Sequence, residues 1–296
     1  MQIAVFGFAP TIEALTHELK TTRGQGFASY WMPQIFGLDA LTALAVAARE
    51  VPDIEVGTSV IPTYPRHPMM LAQQALTTQQ AIGGRLALGI GLSHKPVVEG
   101  MWGYPFDKPV RHMREYLSAL VPLLRDKRTS FGGETIVSRG QIEVEAPAPP
   151  VLVAALGPQM LKLTGQMADG TITWMVGPRT LAELTVPTIG EAAQAAGRSA
   201  PRIVAGVPIC VTEQPDAARE RAARDYADYG QLPSYRAMLD HEGLGGPQDL
   251  ALIGTADEVA SRIETFREAG VTTLAASEFG SPDERAATRQ LLVSLL

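Results

Sequence analysis

Apolar runs and amphipathic segments alternate along the whole chain. Eight runs have the length and β-branched content of buried strands, and they span residues 2–8, 27–32, 54–61, 85–91, 150–156, 170–175, 203–212 and 271–277. Helical periodicity fills the intervals and the end of the chain, at residues 11–24, 38–49, 68–82, 110–126, 158–168, 179–197, 215–240, 255–269 and 283–295. Buried strands that each lead into a helix are typical of parallel sheets. Eight such units predict an α/β fold closed into a (β/α)8 TIM barrel.

Two stretches are longer than this repeat requires. Residues 129–150 contain Gly132 and Gly133 and predict a hairpin excursion. Residues 229–249 combine a helical pattern with a Gly/Pro loop and predict a helical insertion. No linker-like composition or short repeat interrupts the chain, so residues 1–296 are predicted to form one barrel domain.

The composition is that of a folded protein whose partner is a small molecule. Hydrophobic residues make up 46% of the chain and charged residues 19%, and the formal net charge is −6 without a clustered basic run. Nucleic acids and anionic membranes attract basic surfaces, so this composition argues against both as the main partner. The sequence lacks the basic start of a signal peptide and any apolar run of membrane-spanning length, and we expect a cytoplasmic protein.

Aromatic side chains collect where the strands of such a barrel end. Trp31 and Trp174 end the second and sixth strands, Trp102 follows the fourth, and Tyr64 follows the third. Active sites of TIM barrels lie at the carboxyl ends of the strands, so these residues are candidates for binding a flat aromatic ligand. The alternative is that they pack the top of the barrel, since aromatic side chains bury well in any core.

Two glycine–proline steps follow strands five and six. Gly157 precedes Pro158 and Gly177 precedes Pro178, and each proline begins a predicted helix. A helix N-terminus offers free amide donors, so both steps are candidate sites for an anion such as a phosphate group. Ordinary helix capping explains each step alone equally well, because proline is common at the first helical position.

The end of strand four combines small and polar residues. Gly89 and Gly91 leave room for a ligand to approach the backbone just before Ser93 and His94. The segment lacks the third glycine and the immediate helix of a dinucleotide-binding fingerprint, so it does not by itself predict a nucleotide.

The sequence lacks the residue patterns of metal sites and of serine hydrolases. Three of the histidines, His17, His112 and His241, fall on predicted helices and are interpreted as structural or surface residues. No His or Cys pair has the spacing of a metal site, and no serine has the context of a hydrolase triad. The single cysteine, Cys210, lies in an apolar run and is predicted to be a buried thiol.

Four segments together resemble the luciferase-like monooxygenase superfamily, in particular its branch that uses the deazaflavin coenzyme F420. They read GTSVIPTYPRHP, GGRLALGIGLSH, AALGPQMLKLTGQMADGTITWMVGP and AGVTTL, and the match runs over nearly the whole chain. Two further segments, SYWMPQIFGLDALTALA and QLPSYRAML, resemble a subgroup of uncharacterised oxidoreductases. Membership of that subgroup implies little about the substrate.

The resemblance implies a role for the segment after strand three. In the family this segment forms a bulge with a non-prolyl cis peptide that supports the flavin-like ring from behind, and the matching peptide here joins Ser59 and Val60. The three prolines within residues 62–68 would make the corner rigid. Arg66 and His67 are expected to anchor it through a salt bridge or hydrogen bonds to carbonyl groups rather than to act in catalysis.

The resemblance also implies where the cofactor binds. In the family, amides of the loops after strands five and six hold the cofactor's phosphate; a proline there has no amide hydrogen and would only shape the loop. Lys95, Lys162 or Arg179 could meet the acidic cofactor tail at the rim. The implied cofactor-binding residues are Ser59, Val60, Leu92, Ser93, His94, Ala155, Leu156, Gly157, Pro158, Gln159, Trp174 and Gly177.

One departure from the family concerns proton transfer. Several relatives carry an acidic residue and a histidine after strand two and an acidic residue at the end of strand four, whereas the matching positions here are Gln34, Ile35 and, approximately, His94. The usual acid–base pair is absent, so His94 is the candidate catalytic residue, as a proton donor or as a hydrogen-bond partner of the ring. The predicted substrate pocket consists of Trp31, Gln34, Tyr64 and Trp102.

These features predict an F420-dependent oxidoreductase that transfers a hydride between C5 of the deazaflavin and a small organic substrate. The alternatives are an FMN-dependent monooxygenase of the same superfamily, a non-catalytic flavin-binding barrel, and a metal-free hydrolase or lyase. No metal is expected. A homodimer is expected from the resemblance, and the alanine-rich helix within residues 38–49 is a candidate for its interface or, equally, for the core.

Overall fold

Twelve strands provide the framework of the molecule. The computed structural model describes residues 1–296. The strands are β1 (Gln2–Phe6), β2 (Ser29–Met32), β3 (Glu55–Thr58), β4 (Ile61–Pro62), β5 (Leu86–Gly91), β6 (Arg128–Gly132), β7 (Val137–Gln141), β8 (Val151–Val153), β9 (Gly170–Trp174), β10 (Arg202–Val211), β11 (Leu252–Gly254) and β12 (Thr273–Glu278).

Eight of these strands close into a barrel, which confirms the predicted fold. Every pairing is parallel, and the order around the barrel is β1, β2, β3, β5, β8, β9, β10 and β12, after which β12 pairs with β1. At this seam Gln2 lies opposite Thr273 and Val5 lies opposite Ala276. The two short strands β4 and β11, which the sequence pattern did not separate, pair with the carboxyl ends of β5 and β10.

Fourteen helices surround the barrel and carry its loops. They are α1 (Ile12–Gly24), α2 (Ala40–Ala47), α3 (Pro68–Ala81), α4 (Lys95–Gly100), α5 (Pro109–Asp126), α6 (Pro158–Met167), α7 (Pro178–Thr180), α8 (Val186–Ala195), α9 (Pro215–Asp225), α10 (Ala227–Gln231), α11 (Pro233–Glu242), α12 (Pro247–Leu250), α13 (Ala256–Glu268) and α14 (Pro282–Ser294). A 3-10 turn follows α2, and a π-helical turn separates α7 from α8. No helix combines the length and the apolar character needed to cross a bilayer.

Local sequence signals determine where several helices begin. Asp39 caps α2 by accepting a hydrogen bond from the amide of Thr42 at 2.9 Å, and Thr255 forms a capping box with Glu258 at the start of α13. The buried face of α2 consists of Ala40, Leu41, Ala43, Leu44 and Ala47. The alanine-rich helix therefore packs into the core, which was one of its two predicted roles.

The hydrophobic core has two main layers. The larger one lies between the barrel and the surrounding helices, because alternate strand residues point outward onto the helices. The smaller one fills the inside of the barrel, and its members are Ala4, Phe6, Trp31, Ala87, Leu152, Ile172, Val204 and Ala275. The barrel is therefore solid below the ends of its strands, and any ligand must bind above this layer.

Both predicted insertions are present. The hairpin consists of the antiparallel strands β6 and β7, with Phe131 opposite Ser138. The carboxylate of Glu115 on α5 accepts hydrogen bonds from the amides of Thr135 and Ile136 at 2.7 and 3.1 Å, which ties the hairpin turn to the barrel. The second insertion consists of the short helices α10, α11 and α12, with a left-handed glycine, Gly243, at the end of α11.

Candidate active site

A large cavity opens at the carboxyl ends of the barrel strands. Its volume is about 810 Å³ and its wall is mainly hydrophobic. Seven parts of the chain form it: the end of β1, the end of β9, the loop after β2, the bulge between β3 and β4, the segment from β5 to α5, the turn from β8 to α6, and the second insertion. This is the end at which TIM barrels carry their active sites, and the volume suits a ligand of drug or cofactor-ring size.

Aromatic rings form the floor of this cavity. Phe6 on β1 stacks on Trp174 at the end of β9, with ring centres 4.9 Å apart. Trp31 belongs to the same interior cluster as Phe6, but it is fully buried, and its Nε1 donates a hydrogen bond to the hydroxyl of Ser29 at 3.2 Å. Trp31 does not reach the cavity. Its ring fills the barrel interior below the floor, which corrects its assignment to the substrate pocket.

The bulge after β3 forms one wall. The peptide between Ser59 and Val60 is cis, as the resemblance implies, and both residues line the cavity. The hydroxyl of Thr58 joins this wall to β5, because it donates to the carbonyl oxygen of Gly89 at 2.8 Å and accepts from its amide at 2.9 Å. A Cβ at Gly89 would collide with Thr58, and one at Gly91 with Val60. Both glycines therefore make room for the bulge. Gly89 does not line the cavity, whereas Gly91 does, so only Gly91 keeps its predicted place beside a ligand.

The proline-rich corner behind the bulge is held by polar contacts. Arg66 forms a salt bridge with Asp39, and the carbonyl oxygen of Arg66 accepts a hydrogen bond from the hydroxyl of Tyr116 at 2.9 Å. His67 caps α3 through Nδ1, and its Nε2 donates to the carbonyl oxygen of Val137 at 2.9 Å. Neither Arg66 nor His67 lines the cavity. Both residues make the anchoring contacts that were predicted for them.

The start of α6 is an open helix N-terminus on the cavity wall. Gly157, Pro158 and Gln159 line the cavity, and no side chain caps the helix. Gly157 has an ordinary extended backbone (φ −81°, ψ 154°), and nothing lies within 4 Å of the position that a Cβ would take. The amides of Gln159 and Met160 belong to the first turn and have no intrahelical acceptor. This corner can therefore donate hydrogen bonds to a phosphate group in the cavity.

The matching corner at α7 is closed. The carboxylate of Glu242, at the end of α11, accepts a hydrogen bond from the amide of Thr180 at 2.5 Å. A Cβ at Gly177 would collide with that carboxylate, and Nδ1 of His241 lies 3.3 Å from the hydroxyl of Thr180. Gly177 does not line the cavity. The protein's own carboxylate occupies this helix N-terminus, so the structure does not bring Gly177 to the cavity wall where the prediction placed it.

Polar groups of the cavity gather near the end of β5. The ring centre of His94 lies 6.3 Å from that of Tyr229 and 5.8 Å from that of Tyr235, and all three residues line the cavity. Burial lowers the pKa of His94, so its imidazole is neutral at pH 7. Ser93 has a left-handed backbone (φ 63°), a conformation that is uncommon outside glycine and that clusters at ligand sites.

Most of the remaining predicted residues also line the cavity. Gln34 and Trp102 do so, and the Gln34 side chain accepts a hydrogen bond from the amide of Ala40 at 2.7 Å. Tyr64 does not, because it stacks on His112 with ring centres 4.1 Å apart, outside the cavity. The predicted cofactor-binding residues on the wall are Ser59, Val60, Leu92, Ser93, His94, Leu156, Gly157, Pro158, Gln159 and Trp174. Ala155 is absent from the wall because it is fully buried in the outer core layer.

The three cations expected at the rim lie outside the cavity wall. Nζ of Lys95 lies 3.8 Å from a carboxylate oxygen of Glu99, and Nε of Arg179 lies 3.2 Å from that of Glu183. Lys162 is exposed on α6 and belongs to no ion pair. Of the three, Lys162 is the one whose charge is not already paired with a carboxylate.

Sequence reasoning missed several aromatic residues of the wall. These are Phe6, Phe8, Phe36, Phe106, Tyr229 and Tyr235. Tyr235 belongs to the segment QLPSYRAML that carried the subgroup resemblance, and Tyr229 lies just before it in the predicted insertion. Nothing in the pattern indicated that this insertion folds over the barrel mouth. The aromatic character of these residues could have marked them as candidates for the wall, but their positions in the sequence did not place them there.

The residues present fit a flat, phosphate-bearing cofactor. The cavity offers a mainly apolar wall, an uncapped helix N-terminus at α6, and the buried Nε1 of Trp174, which has no hydrogen-bond partner. An apolar slot with one anion site and a free donor suits an aromatic ring that carries a phosphate. No three His, Cys, Asp or Glu side chains come together as the ligands of a metal ion would.

Comparison with known proteins identifies similar sequences. Residues 12–273 match the family model described as luciferase-like monooxygenase. Over 298 residues the chain is 25% identical to a 5,10-methylenetetrahydromethanopterin reductase of Methanolobus tindarius, and the match covers 90% of each chain.

Solved structures share the fold. The coenzyme F420-dependent tetrahydromethanopterin reductase from Methanopyrus kandleri superposes with a TM-score of 0.81 at 21% identity, covering 99% of this chain and 97% of that one. An F420-dependent secondary alcohol dehydrogenase in complex with an F420–acetone adduct superposes with a TM-score of 0.83 at 22% identity, covering 100% and 98%. At these identities the likeness extends to the fold alone.

Proposed function

The chain belongs to the luciferase-like monooxygenase family, and on that premise we propose that it is an F420-dependent oxidoreductase that transfers a hydride between C5 of the deazaflavin and a small organic substrate. One observation carries the proposal. A cavity of about 810 Å³ places the cis Ser59–Val60 bulge and the uncapped start of α6 on one continuous wall. A ring-backing surface and a phosphate site are the two things that a flavin-like cofactor requires.

The ring would lie against the apolar part of the wall. Ser59 and Val60 form the bulge side, and Trp174 lies on the floor with an unpaired indole N–H. That donor is buried beside Tyr229, and a carbonyl group that reached it would gain a hydrogen bond to the indole N–H. The residues on this wall therefore select for a flat ligand with an acceptor atom.

The phosphate would lie at the start of α6. The amides of Gln159 and Met160 are the available donors, and the absent side chain of Gly157 leaves the approach open. No lysine or arginine lines the cavity, so hydrogen bonds and the helix dipole, rather than a cationic side chain, would hold the anion.

The protein's own residues then position the substrate and exclude water. Coenzyme F420, when bound, accepts or donates a hydride at C5. His94 is neutral at pH 7 because burial lowers its pKa, so it can donate or accept one hydrogen bond at the substrate without adding charge to the cavity. The aromatic side chains of the wall would limit the access of water to the reacting carbon.

Titration of the purified protein with oxidised F420 and, separately, with FMN tests the proposal. The fluorescence of each cofactor gives its dissociation constant, and we expect micromolar or tighter binding of F420 with FMN at least about tenfold weaker, a difference of about 1.4 kcal/mol. Preference for FMN would replace the proposal with an FMN-dependent monooxygenase of the same family. Binding of neither would leave a barrel without a flavin-type cofactor.

A further inference from the structure

The second insertion supplies part of the cavity wall. Tyr229 lies in the middle of α10 and Tyr235 lies in α11, and both line the cavity, with ring centres 5.0 Å apart. The ring centre of Tyr229 is also 6.2 Å from that of Trp174 on the cavity floor. The two tyrosines and His94 thus form one group of rings with polar atoms, in a cavity whose wall is otherwise largely apolar.

The charged side chains of the cavity restrict which ligands can bind beside this group. No lysine or arginine lines the cavity, and its one carboxylate belongs to Asp228, an exposed residue next to Tyr229. A carboxylate or phosphate of a substrate would meet no cation there and would face the charge of Asp228. Burying an unpaired anion in such a place is strongly unfavourable, whereas an uncharged oxygen needs only a hydrogen-bond donor.

We infer that Tyr229, Tyr235 and His94 bind the oxygen atom of an uncharged, hydrophobic carbonyl or alcohol substrate, so that the second insertion determines which substrates the proposed oxidoreductase accepts. The inference rests on the proposed function for the hydride chemistry, but the binding site itself consists of residues of this chain alone. The apolar rings around the group would hold the hydrocarbon part of the substrate.

The protonation states of the three side chains support this role. Burial raises the pKa of both tyrosines. Both phenols therefore keep their hydrogens through the neutral range and can donate to an oxygen atom. The neutral imidazole of His94 can serve as donor or acceptor, which suits either a carbonyl or a hydroxyl group.

Three probes that share one ring system test the inference. They are 2-acetylnaphthalene, which carries the uncharged oxygen, 2-ethylnaphthalene, which lacks it, and 2-naphthoate, which is an anion. Their dissociation constants are measured by ligand-observed NMR titration, with the protein free and again saturated with whichever cofactor it binds. The same measurements are made on a Tyr229→Phe/Tyr235→Phe double variant, which keeps both rings, and on Tyr104→Phe as a control, because Tyr104 is an exposed tyrosine outside the cavity.

We expect the ketone to bind at least about tenfold more tightly than 2-naphthoate when the open N-terminus of α6 is blocked by bound cofactor or by Gly157→Asp, because that N-terminus could otherwise hold the naphthoate carboxylate. The double variant should weaken ketone binding about tenfold, as two lost hydrogen bonds between uncharged groups would, while binding of 2-ethylnaphthalene stays within about twofold. Tyr104→Phe should change none of the constants. Equal or tighter binding of the naphthoate, or equal effects of the double variant on all three probes, would overturn the inference.

The outcome also separates the inference from the proposed function. If the protein binds F420 but the tyrosine changes leave ketone binding unaltered, the inference fails and the proposed function stands. If neither cofactor binds but the tyrosine double variant weakens ketone binding selectively, the oxygen site stands and the proposed function fails.

Discussion

The helices α6 and α7 both begin at a glycine–proline step, but only the N-terminus of α6 is open to a ligand. The start of α6 is open, since nothing lies near Gly157 and no side chain caps the helix. The start of α7 is closed, because the carboxylate of Glu242 accepts from the amide of Thr180 at 2.5 Å and lies against Gly177. Both helices begin with proline and have amide donors in the first turn that lack an intrahelical acceptor. A helix N-terminus is therefore a binding site only where the rest of the chain leaves it free.

The strongest test converts the open corner into a closed one. Gly157→Asp places a carboxylate where a cap would sit, and the open space around Gly157 accommodates the side chain. Because the new anion would compete for the amides of α6 and repel a phosphate, we expect F420 binding to weaken about 100-fold or more in the fluorescence titration. Gly157→Ala fills the same space without charge and should stay within about threefold. If the alanine variant loses as much affinity as the aspartate variant, crowding rather than charge is responsible.

The reverse experiment opens the closed corner. Glu242→Ala removes the carboxylate from the amide of Thr180, and we expect the free energy of unfolding to fall by about 1–2 kcal/mol, as the loss of a helix cap typically does. Urea denaturation measures this change. Affinity for F420 should remain within about twofold, because Gly177 does not line the cavity. A large loss of affinity without loss of stability would mean that the α7 corner takes part in cofactor binding after all.

We expect a smaller effect on F420 affinity when the cationic side chain beside each corner is removed. Lys162 on α6 is exposed and unpaired, whereas Arg179 on α7 is paired with Glu183. Lys162→Ala should weaken binding of F420 about threefold at low salt through lost attraction to its acidic tail, and added salt should remove the difference. Arg179→Ala should change the constant by less than twofold. Equal effects of the two substitutions would indicate long-range attraction to net charge rather than a local contact.

The smallest expected effect concerns inorganic phosphate. If the α6 corner binds phosphate weakly, 20 mM phosphate should raise the thermal midpoint of the protein by about 1 °C relative to potassium chloride of equal ionic strength. Differential scanning fluorimetry measures this shift. Gly157→Asp should abolish it and Glu242→Ala should preserve it. A shift that survives in the Gly157→Asp variant would place the anion elsewhere.

The barrel was predictable because its signal is repeated. Eight buried runs alternating with helices allow few other folds, and the hairpin and the helical insertion followed from local glycine and proline signals. The strands β4 and β11 were missed because two or three residues do not make a periodic pattern. The order of the strands and helices could therefore be predicted from the sequence, whereas these very short strands could not.

The site was only partly predictable, because the residues that were assigned wrongly are placed by contacts with residues distant in the sequence. Gly177 was assigned to the cofactor site because a step in sequence cannot reveal that Glu242 closes it. Trp31 was assigned to the pocket because the end of a strand was recognised but not its depth in the barrel. Tyr229 and Tyr235 were missed because the path of an insertion over the mouth depends on tertiary packing.

The seam of the barrel has a consequence for how the chain folds. β1 pairs with β12, so Val5 finds its partner Ala276 only after almost all of the chain is available. Until then one side of β1 is an unpaired edge, which is a surface prone to wrong pairing. We expect folding to depend on contacts distant in sequence and therefore to be slow, and chains lacking β12 to aggregate rather than form a smaller barrel.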